Sequence, residues 1–428
     1  MAPHGKHITR RELLRSGMFL AFHVWLLTSS FGCVLRRLPE SVAAENTPAS
    51  TSPAISPSPV ISPSPEVTPT PVTVAKAPAS PRKKGTPPAS QGNLVEAKYY
   101  DTLDDNTTIC QLCFRKCAIE EGKSGECLAR KNINGKLYSL TYGNPVALHV
   151  DPVEREPLFH MEPGSSTLSI ATASCNLRCK NCINWHIAYK APEDVKPVPM
   201  TPDEVVQAAV EHHVHTLCFT YNEPTQQYDF MYDIARRAKE KNLRVTFHSN
   251  GGMTAEPMKA ILPYTDSVAI DLKAFDPEVY RRLTEGELSP TLKTLKLVKE
   301  QGTWLEIVCL IIPTWNDDMA DIGKMCHWIR DNLGEDTPVH FSRFYPGCKL
   351  TRLPPTPIST LEQAYEIARA AGLHYPYIDN VSGHDAANTY CPNCGEMLVH
   401  RKGLLIDENN IVDGKCKFCG RDIPGIWH

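Results

Sequence analysis

Residues 172–186 read TASCNLRCKNCINWH, and three cysteines, Cys175, Cys179 and Cys182, fall within eight positions. Their spacing is C-x3-C-x2-C. A closed zinc site wants four ligands and disulfides want an even count, so three thiolates need another explanation. Three thiolates can hold three irons of a [4Fe-4S] cube and leave the fourth iron without a protein ligand. An open coordination position is how a metal centre binds a substrate and does more than brace a fold. The amine and carboxylate of an amino acid form a bidentate group that could fill the gap.

Outward from the triplet the chain changes rhythm. The run TLSIATA leads into it, and short apolar runs then alternate with helical periodicity. TLCFTY, RVTFHSN, SVAIDLKA, WLEIVCLII and PVHFSRF read as further strands. PDEVVQAAVEHH, FMYDIARRAKEKN, AEPMKAILPY, TLKTLKLVKEQG, MADIGKMCHWIRDNLG and LEQAYEIARAAG read as helices, with Thr201 as an N-cap of the first. Six strand–helix units predict an α/β fold with a parallel sheet in a right-handed winding. Such sheets carry their chemistry at the carboxyl ends of the strands.

Residues from about Ala97 to Trp427 resemble the radical SAM enzyme family of the AmmeMemoRadiSam system, which is related to pyruvate formate-lyase activating enzymes. The matching text includes CQLCFRKCAIEEGKSGEC, the long run from Asn134 to Cys182, YNEPT, DLKAF, HFSRFYPG, NTYCPNCG and DGKCKFCG. The resemblance implies a partial (β/α)6 radical SAM barrel, placed over 165–385; the cysteine spacing marks an N-terminal cysteine-rich domain over 93–164 and a zinc-ribbon-like tail over 386–428. It also implies a [4Fe-4S] cluster on Cys175, Cys179 and Cys182, with S-adenosylmethionine on the open iron. The family usually has an aromatic where this chain has Asn181. It has glycine where this chain has Ser174, and Cys-Gln where it has Cys182-Ile183, although Asn184 and Trp185 remain.

The other strand ends supply candidate cofactor-binding residues. In YNEPT, Asn222 and Glu223 offer acceptors for the cofactor's amine, and Pro224 stiffens the turn. In HSNGG, Ser249 and Asn250 could hydrogen-bond the ribose or carboxylate, and the glycines allow close backbone approach. In DLKAF, Asp271 and Lys273 lie two apart and share a strand face; the choice is between a cofactor role and a structural ion pair. His340 and Ser342 share a face of the last strand, with Arg343 on the other.

The sixteen cysteines form two further clusters. Cys391-x2-Cys394 and Cys416-x2-Cys419, each pair followed by glycine, suit a closed structural zinc site, with a rubredoxin-like iron as the rival. Cys110, Cys113, Cys117 and Cys127 could hold zinc, which would brace the segment, or an auxiliary cluster, which could relay electrons. Cys33, Cys218, Cys309, Cys326 and Cys348 stand alone and read as small structural residues, Cys218 and Cys309 in apolar strand-like runs.

Across its 428 residues, 42% hydrophobic with a net charge of −3, the chain builds a sizeable core and shows no global basic field for nucleic acid. Segment 1–38 carries Arg10-Arg11, an apolar run from Met18 to Leu35 and Arg36-Arg37. It reads as a twin-arginine export signal or membrane anchor, with a cytoplasmic protein as the alternative. Segment 39–92 reads as a Pro/Ser/Thr-rich disordered linker; 12 of the 36 prolines lie between Thr47 and Ser90.

The resemblance implies an enzyme. A one-electron donor such as ferredoxin or flavodoxin reduces the cluster, S-adenosylmethionine is cleaved, and a 5′-deoxyadenosyl radical takes hydrogen from a substrate. By analogy with activating enzymes that substrate could be a protein. The rival class is a non-catalytic iron–sulfur binding or electron-transfer module that keeps the fold.

Overall fold

The computed structural model describes residues 94–427. The expected signal or anchor (1–38) and linker (39–92) lie outside the described residues. Among the described residues no helix is long and apolar enough to cross a membrane.

An eight-stranded sheet organises the chain: β1 (Ala147–Pro152), β2 (Ser166–Ala171), β3 (Thr216–Phe219), β4 (Arg244–Ser249), β5 (Ser267–Asp271), β6 (Trp304–Ile311), β7 (Val339–Arg343) and β8 (Pro376–Asp379). Spatial order follows chain order from β1 to β8. β1 runs antiparallel to β2, and every later neighbour pair is parallel. The result is a mixed α/β fold with a partial, barrel-like sheet. It has seven parallel strands, not the six expected; β8 is the addition, and β1 lies inside the stretch assigned to the N-terminal domain. The parallel strands are buried almost throughout, which is why they read as continuous apolar runs and not as alternating ones.

Helices cover the crossovers: α1 (Pro202–Glu211), α2 (Tyr228–Glu240), α3 (Ala255–Ile261), α4 (Pro277–Thr284), α5 (Leu288–Glu300), α6 (Met319–Leu333) and α7 (Ile358–Ala370). At α1, Thr201 and Glu204 form a reciprocal capping box ahead of Pro202 at the first turn. α4 was not read from the sequence. Its signal is Asp276-Pro277, where the Asp276 carboxylate accepts from the Val279 N–H at 2.8 Å.

Neither cysteine-rich flank has a core of its own. Before the main sheet, short antiparallel strands (Val95–Glu96, Tyr100–Thr102, Thr108–Cys110, Ala118–Ile119, Arg130–Ile133 and Lys136–Ser139) and the turns between them contribute Ala97, Cys110, Leu112, Ile119 and Leu137 to the same buried cluster as the barrel. Arg130 closes the joint with a buried ion pair to Asp229 on α2 at 2.8 Å. In the tail, Leu398, Val399, Ile411 and Ile423 pack with Phe159 and with Tyr375 and Tyr377 at β8. The Arg401 guanidinium lies 4.1 Å from the Phe159 ring and donates to the Phe159 carbonyl at 2.8 Å.

Candidate active site at the carboxyl ends of the strands

The triplet leaves β2, Tyr221–Thr225 leaves β3, Ser249–Gly252 leaves β4 and Asp271–Lys273 leaves β5. Four adjacent parallel strands therefore deliver four motifs to one end of the sheet. Ser174 enters the triplet loop with φ +88°, a left-handed conformation that favours glycine, and its hydroxyl bonds the Cys127 carbonyl. The serine keeps the backbone shape that the family's glycine would have, and adds a tie to the N-terminal segment.

Glu223 is buried and fully engaged. Oε1 accepts from the Thr225 N–H (3.0 Å), the Thr225 hydroxyl (2.5 Å) and the Ser249 hydroxyl (2.9 Å), and Oε2 accepts from the Asn250 N–H (2.8 Å). Burial raises its pKa, and these hydrogen bonds oppose the rise. Asn250 in turn donates to Asn176 Oδ1 at 2.8 Å and lies 4.0 Å from Cys175 Sγ. Ser249 and Asn250 thus spend their polar atoms on Glu223, Asn176 and their own turn. Gly252 is demanded by the crowding there: a Cβ would sit 2.8 Å from Asn250 Oδ1 and 3.0 Å from Asn176 Nδ2.

Asn222 faces the triplet differently. Its amide nitrogen donates to the Thr172 carbonyl and, at 2.8 Å, to the Ser174 carbonyl, while Oδ1 is buried with no hydrogen-bond partner. An orphaned buried acceptor on a side chain tied to the residue before Cys175 suits an incoming ammonium group.

Asp271 bonds both His248 (Nε2, 3.0 Å) and Lys273 (Nζ, 2.7 Å). Of the two sequence readings, the ion pair forms, and it forms at the site. Burial works against the charges, but their mutual attraction holds Asp271 well below the usual carboxylate range and Lys273 above the usual amine range. Burial pushes all three triplet thiols up, Cys182 to about 12; the Lys273 ammonium pulls against this at Cys179 and Cys182. Lys273 is thus the cation that faces developing thiolate charge.

His340 does not reach this rim. It is buried on β7 against Glu306 at 2.8 Å, with Asp379 3.8 Å away. Cys218, Cys309 and Cys326 are core residues. Cys348 sits against the triplet loop: it lies 3.9 Å from the Tyr189 hydroxyl, which bonds the Cys179 carbonyl, and the Lys349 N–H donates to the Lys180 carbonyl at 2.9 Å. Asn176 was also missed, because a lone asparagine after a cysteine has no periodic signal.

The tail thiols converge on a point. Sγ–Sγ distances are 3.6 Å for Cys391–Cys419 and 3.7 Å for Cys394–Cys416, and all four sulfurs lie within 4.8 Å of one another. Gly395 and Gly420 both turn with positive φ, +77° and +76°, and donate back to the Cys391 and Cys416 carbonyls at 2.9 and 2.8 Å. Such paired knuckles fit a tetrahedral metal ion.

The family model of the Radical SAM superfamily matches residues 169–326. An uncharacterized protein of Methanocaldococcus jannaschii is 43% identical over 332 residues, covering 77% of this chain and 99% of that protein. The pyruvate formate-lyase-activating enzyme of Listeria monocytogenes is 27% identical over 170 residues, 36% of this chain and 66% of that enzyme. Among solved structures, a radical SAM methyltransferase from Sphaerobacter thermophilus aligns with TM-score 0.41 and 16% identity over 55% of this chain and 71% of that one.

Proposed function

Because the chain belongs to the radical SAM superfamily, we propose that its strand-end site serves an AmmeMemoRadiSam-type enzyme with activating-enzyme-like action on a protein substrate. When bound, a [4Fe-4S] cluster and S-adenosylmethionine supply a 5′-deoxyadenosyl radical that takes hydrogen from the substrate. In this reading Cys175, Cys179 and Cys182 hold the cluster, and Lys273, steadied by Asp271 and His248, offsets its thiolate charge. Asn222 Oδ1 accepts from the cofactor ammonium. Glu223, Ser249 and Asn250 are positioning residues that fix the turn against Asn176. A ferredoxin- or flavodoxin-class protein supplies the electron.

The single observation that carries the reading is the meeting of three further strand-end motifs with the triplet at one end of the sheet, with an unpartnered buried acceptor on one of them. The rival reading, a non-catalytic iron–sulfur module, gives that acceptor no purpose. The activating-enzyme specificity rests on the listerial relative and on the DLKAF text. Zinc in the tail, as a brace between the tail strands and β8, belongs to the same proposal.

The test is spectroscopic. In anaerobically reconstituted, reduced protein, S-adenosylmethionine should change the EPR signal of the triplet's cluster. Replacing Cys175, Cys179 and Cys182 by Ala should remove that responsive signal. A reduced cluster indifferent to S-adenosylmethionine would count against the reading.

A further inference from the structure

The N-terminal cysteines Cys110, Cys113, Cys117 and Cys127 line one common cavity together with Arg115 and Arg130. Two geometries for thiols exist within this one molecule. The tail's four sulfurs converge on a point, and among the described residues they are the one Cys/His/Asp/Glu group of three or more whose ligand atoms all lie within 4.8 Å of one another. The N-terminal four surround a space without converging. The triplet's thiols do not converge on a point either, as they should not if they bind different irons of one cube. By arrangement, the N-terminal group is of the triplet's kind and not the tail's.

A counter-charge is in place as well. Four thiolates on an iron–sulfur core leave net negative charge, as they do on zinc, and that charge needs a counter-ion when buried. Arg130 is 2% exposed, lines the cavity, lies 3.8 Å from Cys110 Sγ through Nη1, and has a buried Nε–H with no hydrogen-bond partner. Its ion pair with Asp229 uses Nη2 and leaves that donor over.

The group is also built into the triplet's surroundings. Cys113 forms a β-bridge to Met253; the Phe114 N–H donates to the Gly252 carbonyl and the Thr254 N–H to the Leu112 carbonyl, each at 3.0 Å. Arg178 of the triplet loop donates to the Glu126 carbonyl at 2.9 Å, and Ser174 bonds the Cys127 carbonyl. Asn176, which follows Cys175, lies beside Cys113.

We propose that Cys110, Cys113, Cys117 and Cys127 hold a second iron–sulfur cluster, fully ligated by protein and packed against the loop of the first. The comparison with the triplet rests on the cluster reading above, so the experiment separates the two. Full-length protein, wild type and the C175A/C179A/C182A variant, is reconstituted anaerobically and assayed for iron, acid-labile sulfide and zinc. The variant should retain about four irons and four sulfides, roughly half the wild-type content. Its reduced EPR signal should not respond to S-adenosylmethionine. A single-iron tail site contributes no sulfide, so sulfide is the deciding number. Adding Cys113→Ser to the triplet variant should then abolish the remaining sulfide; sulfide that persists would overturn the assignment. A triplet variant free of sulfide, or one with an extra zinc in place of iron, also overturns it. If wild type and triplet variant carry equal sulfide, the second cluster stands and the triplet reading fails instead.

Discussion

Asn222 and Glu223 are neighbours in one turn with different work. Both were read from the sequence as acceptors for the cofactor amine, and the motif alone could not divide the roles. The structure gives the Glu223 carboxylate four protein donors and leaves Asn222 Oδ1 without one. A hydrogen bond to a charged group is worth about 1.5–3 kcal/mol. Asn222→Ala should therefore weaken S-adenosylmethionine binding by roughly ten- to a hundredfold, with the triplet's iron retained, as titration calorimetry and iron analysis would report. Glu223→Ala should act through stability, because it strands the Thr225 and Asn250 N–H groups. Its melting temperature should fall further than that of Asn222→Ala. A Glu223 variant that melts like wild type yet loses the cofactor would reverse the two roles. Ser174 teaches a related lesson: the substitution is legible in sequence, but that the loop keeps a glycine-like φ is not.

At the scale of elements, six parallel strands were legible because burial on both faces makes them continuous apolar runs. β8 was not, since it is four residues long and opens on Pro376. β1 was not, because it is an antiparallel edge strand that ends in Asp151 and Pro152. α4 is short and charged, and only its cap announces it. The strand-end motifs were legible as positions; their hydrogen-bond partners come from other strands and could not be. The tail's packing was not legible in its own residues: it shares a core with Phe159, Tyr375 and Tyr377. An isolated 386–428 fragment would lose Phe159, Tyr375 and Tyr377 from that core, so the metal must be tested in the whole chain. Elemental analysis should find zinc that disappears in Cys394→Ser, with a lowered melting temperature for the whole protein. Iron without sulfide at that site would select the rubredoxin-like rival.

Over the whole molecule, the catalytic and metal-binding motifs are gathered in the described residues, and the N-terminal segment stands apart as a question of place. Arg10-Arg11 before an apolar run predicts membrane association, either by twin-arginine export or as an anchor that holds the domain on the cytoplasmic side. Cell fractionation should find the full-length chain with membranes, and deletion of residues 1–38 should release it. Full-length protein wholly in the soluble cytoplasm would reject both routes. The central claim, that the strand-end site performs radical chemistry on S-adenosylmethionine, is tested most directly by the fate of the cofactor. Reduced, reconstituted protein incubated anaerobically with S-adenosylmethionine should form methionine and 5′-deoxyadenosine, and the C175A/C179A/C182A variant should form neither. Wild-type protein that carries its full iron and sulfide and still yields no 5′-deoxyadenosine would contradict the account.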